Sequence, residues 1–202
     1  MKVMIVGFSP PYARMFTEQG WEVVGKVEEA EFVQFCGGAD VSPSLYGQSP
    51  HPYTHSQEER DRHEIGIFHE CLAKDIPMLG VCRGAQFLCA MSGGDLYQHV
   101  DNHTATHELV DVESQDTIVV TSTHHQMMLL HEEGELIAYA DGLATCKESM
   151  DDRGNVIKDR SDIIDVEAQY INSTRSLCFQ PHPEMGLSSC RDYYFQLIGR
   201  FF

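Results

Sequence analysis

Residues 77–86 read Pro77-Met78-Leu79-Gly80-Val81-Cys82-Arg83-Gly84-Ala85-Gln86, a short apolar run, a cysteine between two glycines, and the opening of a helix-forming stretch. Met78 to Val81 predicts a buried parallel strand and Gly84 to Met91 the start of a helix. Cys82 then stands at the sharp strand-to-helix turn, where a side chain is held exposed. Gly80 and Gly84 lie two residues to either side, where any Cβ would crowd the neighbouring strand or helix. The N-terminal N–H groups of the helix stabilise negative charge, on the sulfur or on an oxyanion beside it.

A nucleophile needs a base and a group that orients the base. Residues 179–184, Phe179-Gln180-Pro181-His182-Pro183-Glu184, supply both. In an extended segment i and i+2 point to the same side, so Glu184 can hold the His182 ring in one tautomer while the other ring nitrogen faces Cys82. Pro183 stiffens that geometry by fixing φ between them. Upstream, the apolar run Phe32 to Cys36 ends in Gly37-Gly38, a turn whose backbone can approach a substrate closely because no Cβ intervenes.

These blocks, with Cys36 to Gly47, Glu59-Arg60-Asp61, Gly93 to Gln98 and Ser122-Thr123-His124-His125-Gln126, occur in an order that resembles the class I glutamine amidotransferases. The chain is most similar to their free-standing branch, the γ-glutamyl hydrolases of peptidase family C26 that resemble γ-glutamyl-γ-aminobutyrate hydrolase. The resemblance covers most of the chain. It implies a flavodoxin-like three-layer fold and a Cys82-His182-Glu184 triad. Oxyanion donors would lie at Gly37, Gly38 and the Arg83 backbone, and Gln86 would hold the glutamyl moiety. Ser122, His124, His125 and Gln126 follow the β-rich run 116–121 and would sit near the substrate, at the carboxyl end of a strand where open α/β sheets bind ligands. One departure is Pro181, where family members usually carry an aromatic residue. It removes a ring and an N–H from the site wall, so the part of the substrate beyond the glutamyl group is expected to differ.

Short apolar strands are expected near 2–7, 22–25, 32–36, 77–81, 117–121, 136–140, 164–169 and 177–180, and helices near 11–19, 58–74, 83–92 and 186–200. Their alternation in the first half implies an α/β fold, an open mostly parallel sheet with helices on both faces, and the strand-rich second half an added antiparallel portion. Residues 48–57 and 148–161 read as polar loops, one near the site mouth and one a distal hairpin. The 202 residues, 42% hydrophobic, suffice for one sizeable core, and no linker composition divides them, so a single domain over 1–202 is expected.

Thirty-one acidic residues against 14 basic ones give a formal net charge of −17, which disfavours nucleic acid and anionic membranes as partners. Met1 to Gly7 reads as a first strand rather than a signal peptide, and no stretch approaches membrane-spanning length. Seven cysteines, an odd count without framework spacing, fit a reducing compartment, and a cytoplasmic protein is expected. The i, i+4 pairs His51/His55 and His103/His107 raise the question of a metal. No Cys or carboxylate completes a compact set in the sequence, so no metal and no cofactor are expected. The partner is expected to be a small γ-glutamyl amide or glutamine, with a second copy of the chain or a ligase left open. Three functions fit these residues: a self-contained γ-glutamyl hydrolase, which is favoured, a glutaminase subunit handing ammonia to a separate synthetase, and an inactive binding module on the same fold.

Overall fold

The computed structural model describes residues 1–7, 10–159 and 164–202. In chain order the elements are β1 (Lys2–Val6), α1 (Pro10–Glu18), β2 (Glu22–Val24), β3 (Phe32–Phe35), α2 (Glu58–Ala73), β4 (Met78–Val81), α3 (Arg83–Met91), β5 (Leu96–Tyr97), β6 (His99–Val100), β7 (His107–Asp111), β8 (Thr117–Val120), β9 (Met127–Met128), β10 (Gly134–Ala140), β11 (Lys147–Met150), β12 (Val156–Asp159), β13 (Asp165–Ile171), β14 (Ser176–Phe179) and α4 (Ser188–Phe201). Among the described residues nine strands form one sheet, in the order β2-β1-β3-β4-β14-β13-β10-β7-β8. β2, β1, β3, β4 and β14 are parallel neighbours. β13, β10, β7 and β8 continue the sheet antiparallel. The α/β fold, with a parallel sheet extended by an antiparallel portion, is the one the sequence predicts.

β4 lies between β3 and β14 and is buried on both faces, which explains its unbroken apolar run. Leu79 and Val81 share one side with Leu177 and Phe179 and with Phe16 of α1 and Tyr194 and Leu197 of α4. Met78 and Cys178 face the other side, in the cluster that holds Phe68 of α2 and Phe87 and Leu88 of α3. Each such Leu or Phe contributes about 1.5–3 kcal/mol by leaving water. Gln34 of β3, buried among these residues, accepts a hydrogen bond from the Tyr194 hydroxyl at 2.5 Å.

The antiparallel portion departs from the sequence reading. β7 was not expected, because only Leu109 and Asp111 of its five residues are buried and it reads as polar. Asp111 is satisfied by the Tyr193 hydroxyl at 2.6 Å and by the N–H groups of Glu113 and Ser114. The two-residue strands β5, β6 and β9 are too short to carry a period. The expected loop over 148–161 contains most of the β11–β12 hairpin, and its residues 160 and 161 lie outside the described part. That hairpin is not distal. β11 pairs with β6, and Glu148 Oε2 lies 3.1 Å from Nε2 of His51 in the other expected loop, so the two segments meet.

Candidate active site

Cys82 sits between β4 and α3 with φ 52° and ψ −114°, a conformation that L side chains rarely adopt. Its N–H donates to the Phe179 carbonyl at 2.9 Å and its carbonyl accepts from the Gln86 N–H at 3.0 Å, so strand and helix both hold the strained turn. A Cβ at Gly80 would come within 2.7 Å of the Gly84 and Ala85 backbone, and one at Gly84 would collide with the Phe35 carbonyl. Burial is the largest cause that pushes each of the other six thiols, Cys36, Cys71, Cys89, Cys146, Cys178 and Cys190, above its ordinary value and keeps it in the inert thiol form.

His182 faces this turn from the end of β14. Its Nδ1 lies 2.7 Å from Glu184 Oε1, the contact the i, i+2 spacing predicts. The local geometry differs from the extended segment expected, since Pro183 to Met185 form one turn of 3₁₀ helix. Burial alone pulls His182 down, but the Cys82 sulfur and the Glu184 carboxylate reverse that and push it up to about 10. The ring is therefore an imidazolium at neutral pH. A partner that the sequence reading passed over is Thr123, whose Oγ1 lies 2.8 Å from Nε2. The His182 backbone is fixed by Thr121 in both directions: its N–H donates to the Thr121 carbonyl at 2.9 Å, and its carbonyl accepts from the Thr121 hydroxyl at 2.6 Å.

At the glycine pair the two residues divide the work. The Gly37 N–H donates to the Tyr12 hydroxyl at 3.1 Å, so the donor expected there is already engaged. What Gly37 provides is room, because a Cβ would lie 3.1 Å from His182 Cε1. Gly38, at φ 150°, lines the same cavity as Cys82. Among the described residues the Gly38 and Arg83 N–H groups have no hydrogen-bond partner. The turn is clamped from behind by Arg60, which donates to the Cys36 carbonyl at 2.8 Å and the Gly37 carbonyl at 3.2 Å. Arg60 Nε donates to Glu64 at 2.7 Å, and the buried Arg83 guanidinium pairs with both Glu64 and Asp61. One buried and one half-buried cation thus meet two buried carboxylates, which ties α2, the first residue of α3 and the glycine turn into one unit. In the sequence Glu59-Arg60-Asp61 reads only as the start of a helix. The signal that could have found this network is the i, i+3 and i, i+4 placement of Asp61, Glu64 and Arg60 on one helix face.

A cavity of about 220 Å³ is lined by Cys82, His182, Gly38, Gln86, Thr123, His124, His125, Gln126 and Asp40. Of the residues expected near the substrate, Gln86, His124, His125 and Gln126 line this cavity. Gln86 Nε2 also donates to the Gln126 carbonyl at 2.8 Å, so it joins α3 to the opposite wall. Ser122 does not line the cavity; its hydroxyl donates to the His103 carbonyl at 2.5 Å. The two histidines are unlike. His124 is buried, which pulls it down to about 3, and its Nδ1 bonds the Gln126 carbonyl at 2.8 Å. His125 is half-buried and is raised by Asp40, whose Oδ1 lies 3.1 Å from its Nε2.

Residues 17–149 match the Peptidase C26 family, and the chain belongs to that family. It is 31% identical over 150 residues to protein NtpR of Enterococcus hirae, covering 62% of this chain and 63% of that protein. It is 37% identical over 118 residues to the glutamine amidotransferase-like YvdE homolog of Lactococcus lactis subsp. cremoris, covering 48% of this chain and 62% of that one. The chain spans less than two thirds of the length of these curated relatives. In fold it is similar to a glutamine amidotransferase of Thermotoga maritima, with a TM-score of 0.63 at 16% identity over 99% of this chain and 83% of the other. A chain of the PurLQS structure from the same organism gives a TM-score of 0.66 at 16% identity, covering 99% and 98%. The chain therefore belongs to the Peptidase C26 family and has the α/β fold of these glutamine amidotransferase structures. No helix among the described residues is long and apolar enough to cross a membrane.

Proposed function

We propose that the protein hydrolyses a γ-glutamyl amide through a glutamyl thioester on Cys82. The observation that carries this reading is that one cavity of about 220 Å³ is lined by the strained Cys82 turn, by His182, which is paired with Glu184, and by Gly38. The Cys82 thiolate attacks the γ-carbonyl, whose oxygen becomes an oxyanion on the Gly38 and Arg83 N–H groups. Imidazolium His182 then protonates the leaving amine as the tetrahedral adduct collapses to the thioester. With the amine gone, His182 takes a proton from water, which attacks the thioester and releases glutamate and the thiolate. Gln86, on the cavity wall one helical turn beyond Cys82, holds the glutamyl group. Seven free cysteines support a reducing, cytoplasmic setting.

A second reading, a glutaminase that passes ammonia to a separate synthetase, is favoured by the fold shared with a PurLQS chain. A hydrolase must have its oxyanion donors assembled in the free chain, and the Arg60 clamp on the glycine turn supports that state. The separating experiment is a screen of glutamine, γ-glutamyl-aminobutyrate and γ-glutamyl peptides against the purified chain. Turnover of an amide other than glutamine, without a second protein, is the expected result. Glutaminase activity that appears only with a co-purifying ligase would replace this reading with the second.

A further inference from the structure

His103 and His107 carry the i, i+4 spacing that the sequence leaves without a carboxylate. The fold corrects this: β13 brings Glu167 to the pair. Glu167 Oε1 lies 3.2 Å from His103 Nδ1 and 3.1 Å from His107 Nε2, and the three ligand atoms lie within 4.8 Å of one another. His103 and Glu167 are fully buried.

We propose that His103, His107 and Glu167 form a binding site for a zinc-type divalent cation, separate from the Cys82 cavity. Ligands held at about 2.0–2.2 Å around a tetrahedral ion stand about 3.3 Å apart, close to the two nitrogen–oxygen separations observed. The outer ring nitrogens are arranged as metal-bound histidines require. His103 Nε2 lies 3.1 Å from Asp165 Oδ2 and His107 Nδ1 lies 3.2 Å from the Ala105 carbonyl. With protons on those outer nitrogens, the inner lone pairs are free for an ion. Asp165 is in turn held by Lys147 Nζ at 2.8 Å and the Ala144 N–H at 2.7 Å.

Two buried atoms set this cluster apart from an ordinary hydrogen-bonded network. His103 Nδ1 is close to Glu167 Oε1 but makes no aligned hydrogen bond, and Glu167 Oε2 has no partner. A proton shared between His103 and Glu167 satisfies neither, because the geometry is bent and the second oxygen is left over. An ion held by Oε1 takes up the His103 Nδ1 lone pair, and a bidentate carboxylate would engage Oε2 as well. Two imidazoles and one carboxylate suit zinc better than calcium or magnesium, and a water would complete four-coordination.

The site would act on the cavity from behind. The His103 ring packs against that of His124 with centroids 4.6 Å apart, and the Ser122 hydroxyl holds the His103 carbonyl. An ion here pins the loop that carries Ser122 to Gln126 to β13.

The test is a calorimetric titration of chelator-treated full chain with Zn²⁺ alone, in a Cys82→Ala background so that the thiolate cannot be the ligand. About one ion per chain is expected to bind with a dissociation constant below about 1 μM, and the melting temperature is expected to rise with added Zn²⁺. His107→Ala and Glu167→Gln should each weaken binding at least about 10-fold. His107→Ala, near the surface, covers the event that Glu167→Gln does not fold. A cobalt-loaded sample should show the absorption of a tetrahedral nitrogen and oxygen site without a thiolate charge-transfer band. Absence of stoichiometric binding, or equal affinity in His107→Ala and the parent, would overturn the proposal.

Discussion

The two halves of the sheet bury different chemistry. On the parallel side, β3, β4 and β14 carry mostly apolar residues to both faces, and of their two buried polar side chains Gln34 is held by the Tyr194 hydroxyl and the Phe35 carbonyl and Ser176 by the Thr174 hydroxyl. On the antiparallel side, β13 alone buries Asp165, Glu167 and Gln169, and the neighbouring segments add His103, Asp111 and Lys147. The parallel half supplies the nucleophile and the strained turn, which need a rigid dry frame. The antiparallel half supplies the far wall of the cavity and, through Thr121 and Thr123, the hold on His182. Reactivity and placement of the base are thus divided between a hydrophobic and a polar half of one sheet.

The sharpest way to break this division is at the nucleophile. Cys82→Ala should lose about 10⁴-fold or more in kcat with an unchanged melting temperature, His182→Ala nearly as much, and Glu184→Gln less, since it orients without transferring a proton. Labelling with iodoacetamide and peptide mapping should find Cys82 modified first. Activity that survives Cys82→Ala would remove Cys82 from the chemistry.

Next in size are two core truncations, one in each half. Leu177→Ala on β14 and Leu109→Ala on β7 should each destabilise by about 2–5 kcal/mol, because both side chains are fully buried. Urea unfolding followed by fluorescence and by circular dichroism should show one transition for both variants. A second transition confined to Leu109→Ala would show that the polar half unfolds by itself.

Smaller effects sharpen the link between the halves. Thr123→Val removes the hydroxyl from His182 Nε2 and should lower kcat/KM about 10-fold with little change in stability, the loss of one hydrogen bond to a charged ring. Unaltered kinetics would mean that the ring is placed by Glu184 and the backbone alone. The pH dependence gives the mildest test. His182 is raised from its ordinary value to about 10, so its favourable contribution to stability is fully present below about pH 6.5 and is lost as the pH rises through about 10. An NMR titration of the ring should place its midpoint near 10, and kcat/KM should fall over the same alkaline range. A midpoint near 6.5 would mean that Cys82 and Glu184 do not hold the imidazolium.

Much of the reactive machinery depends on contacts between near neighbours in the chain, and these could be read directly. Gly80, Cys82 and Gly84 mark the turn within five residues by their spacing, and His182 and Glu184 are two apart. The apolar run of β4 and the periodic faces of α1 to α4 follow from burial on one or both sides. β7, β11 and β12 carry no such mark: β7 buries only Leu109 and Asp111, β11 buries Lys147 and Glu148 beside Met150, and β12 buries none of its residues, so their placement depends on strands elsewhere in the chain.

What the sequence determined by itself, then, was the α/β order of the elements, the strained turn at Cys82 and the His182–Glu184 pair. Each depends on local sterics and a fixed period. Only the tertiary structure decided that the Gly37 N–H belongs to Tyr12 and that Arg60 clamps the glycine turn. It alone set Thr123 on His182, turned Ser122 away from the cavity and brought Glu167 to His103 and His107. In each of these a polar group meets a partner on another element. The identity of that partner depends on which strands become neighbours, which no local pattern in the chain specifies.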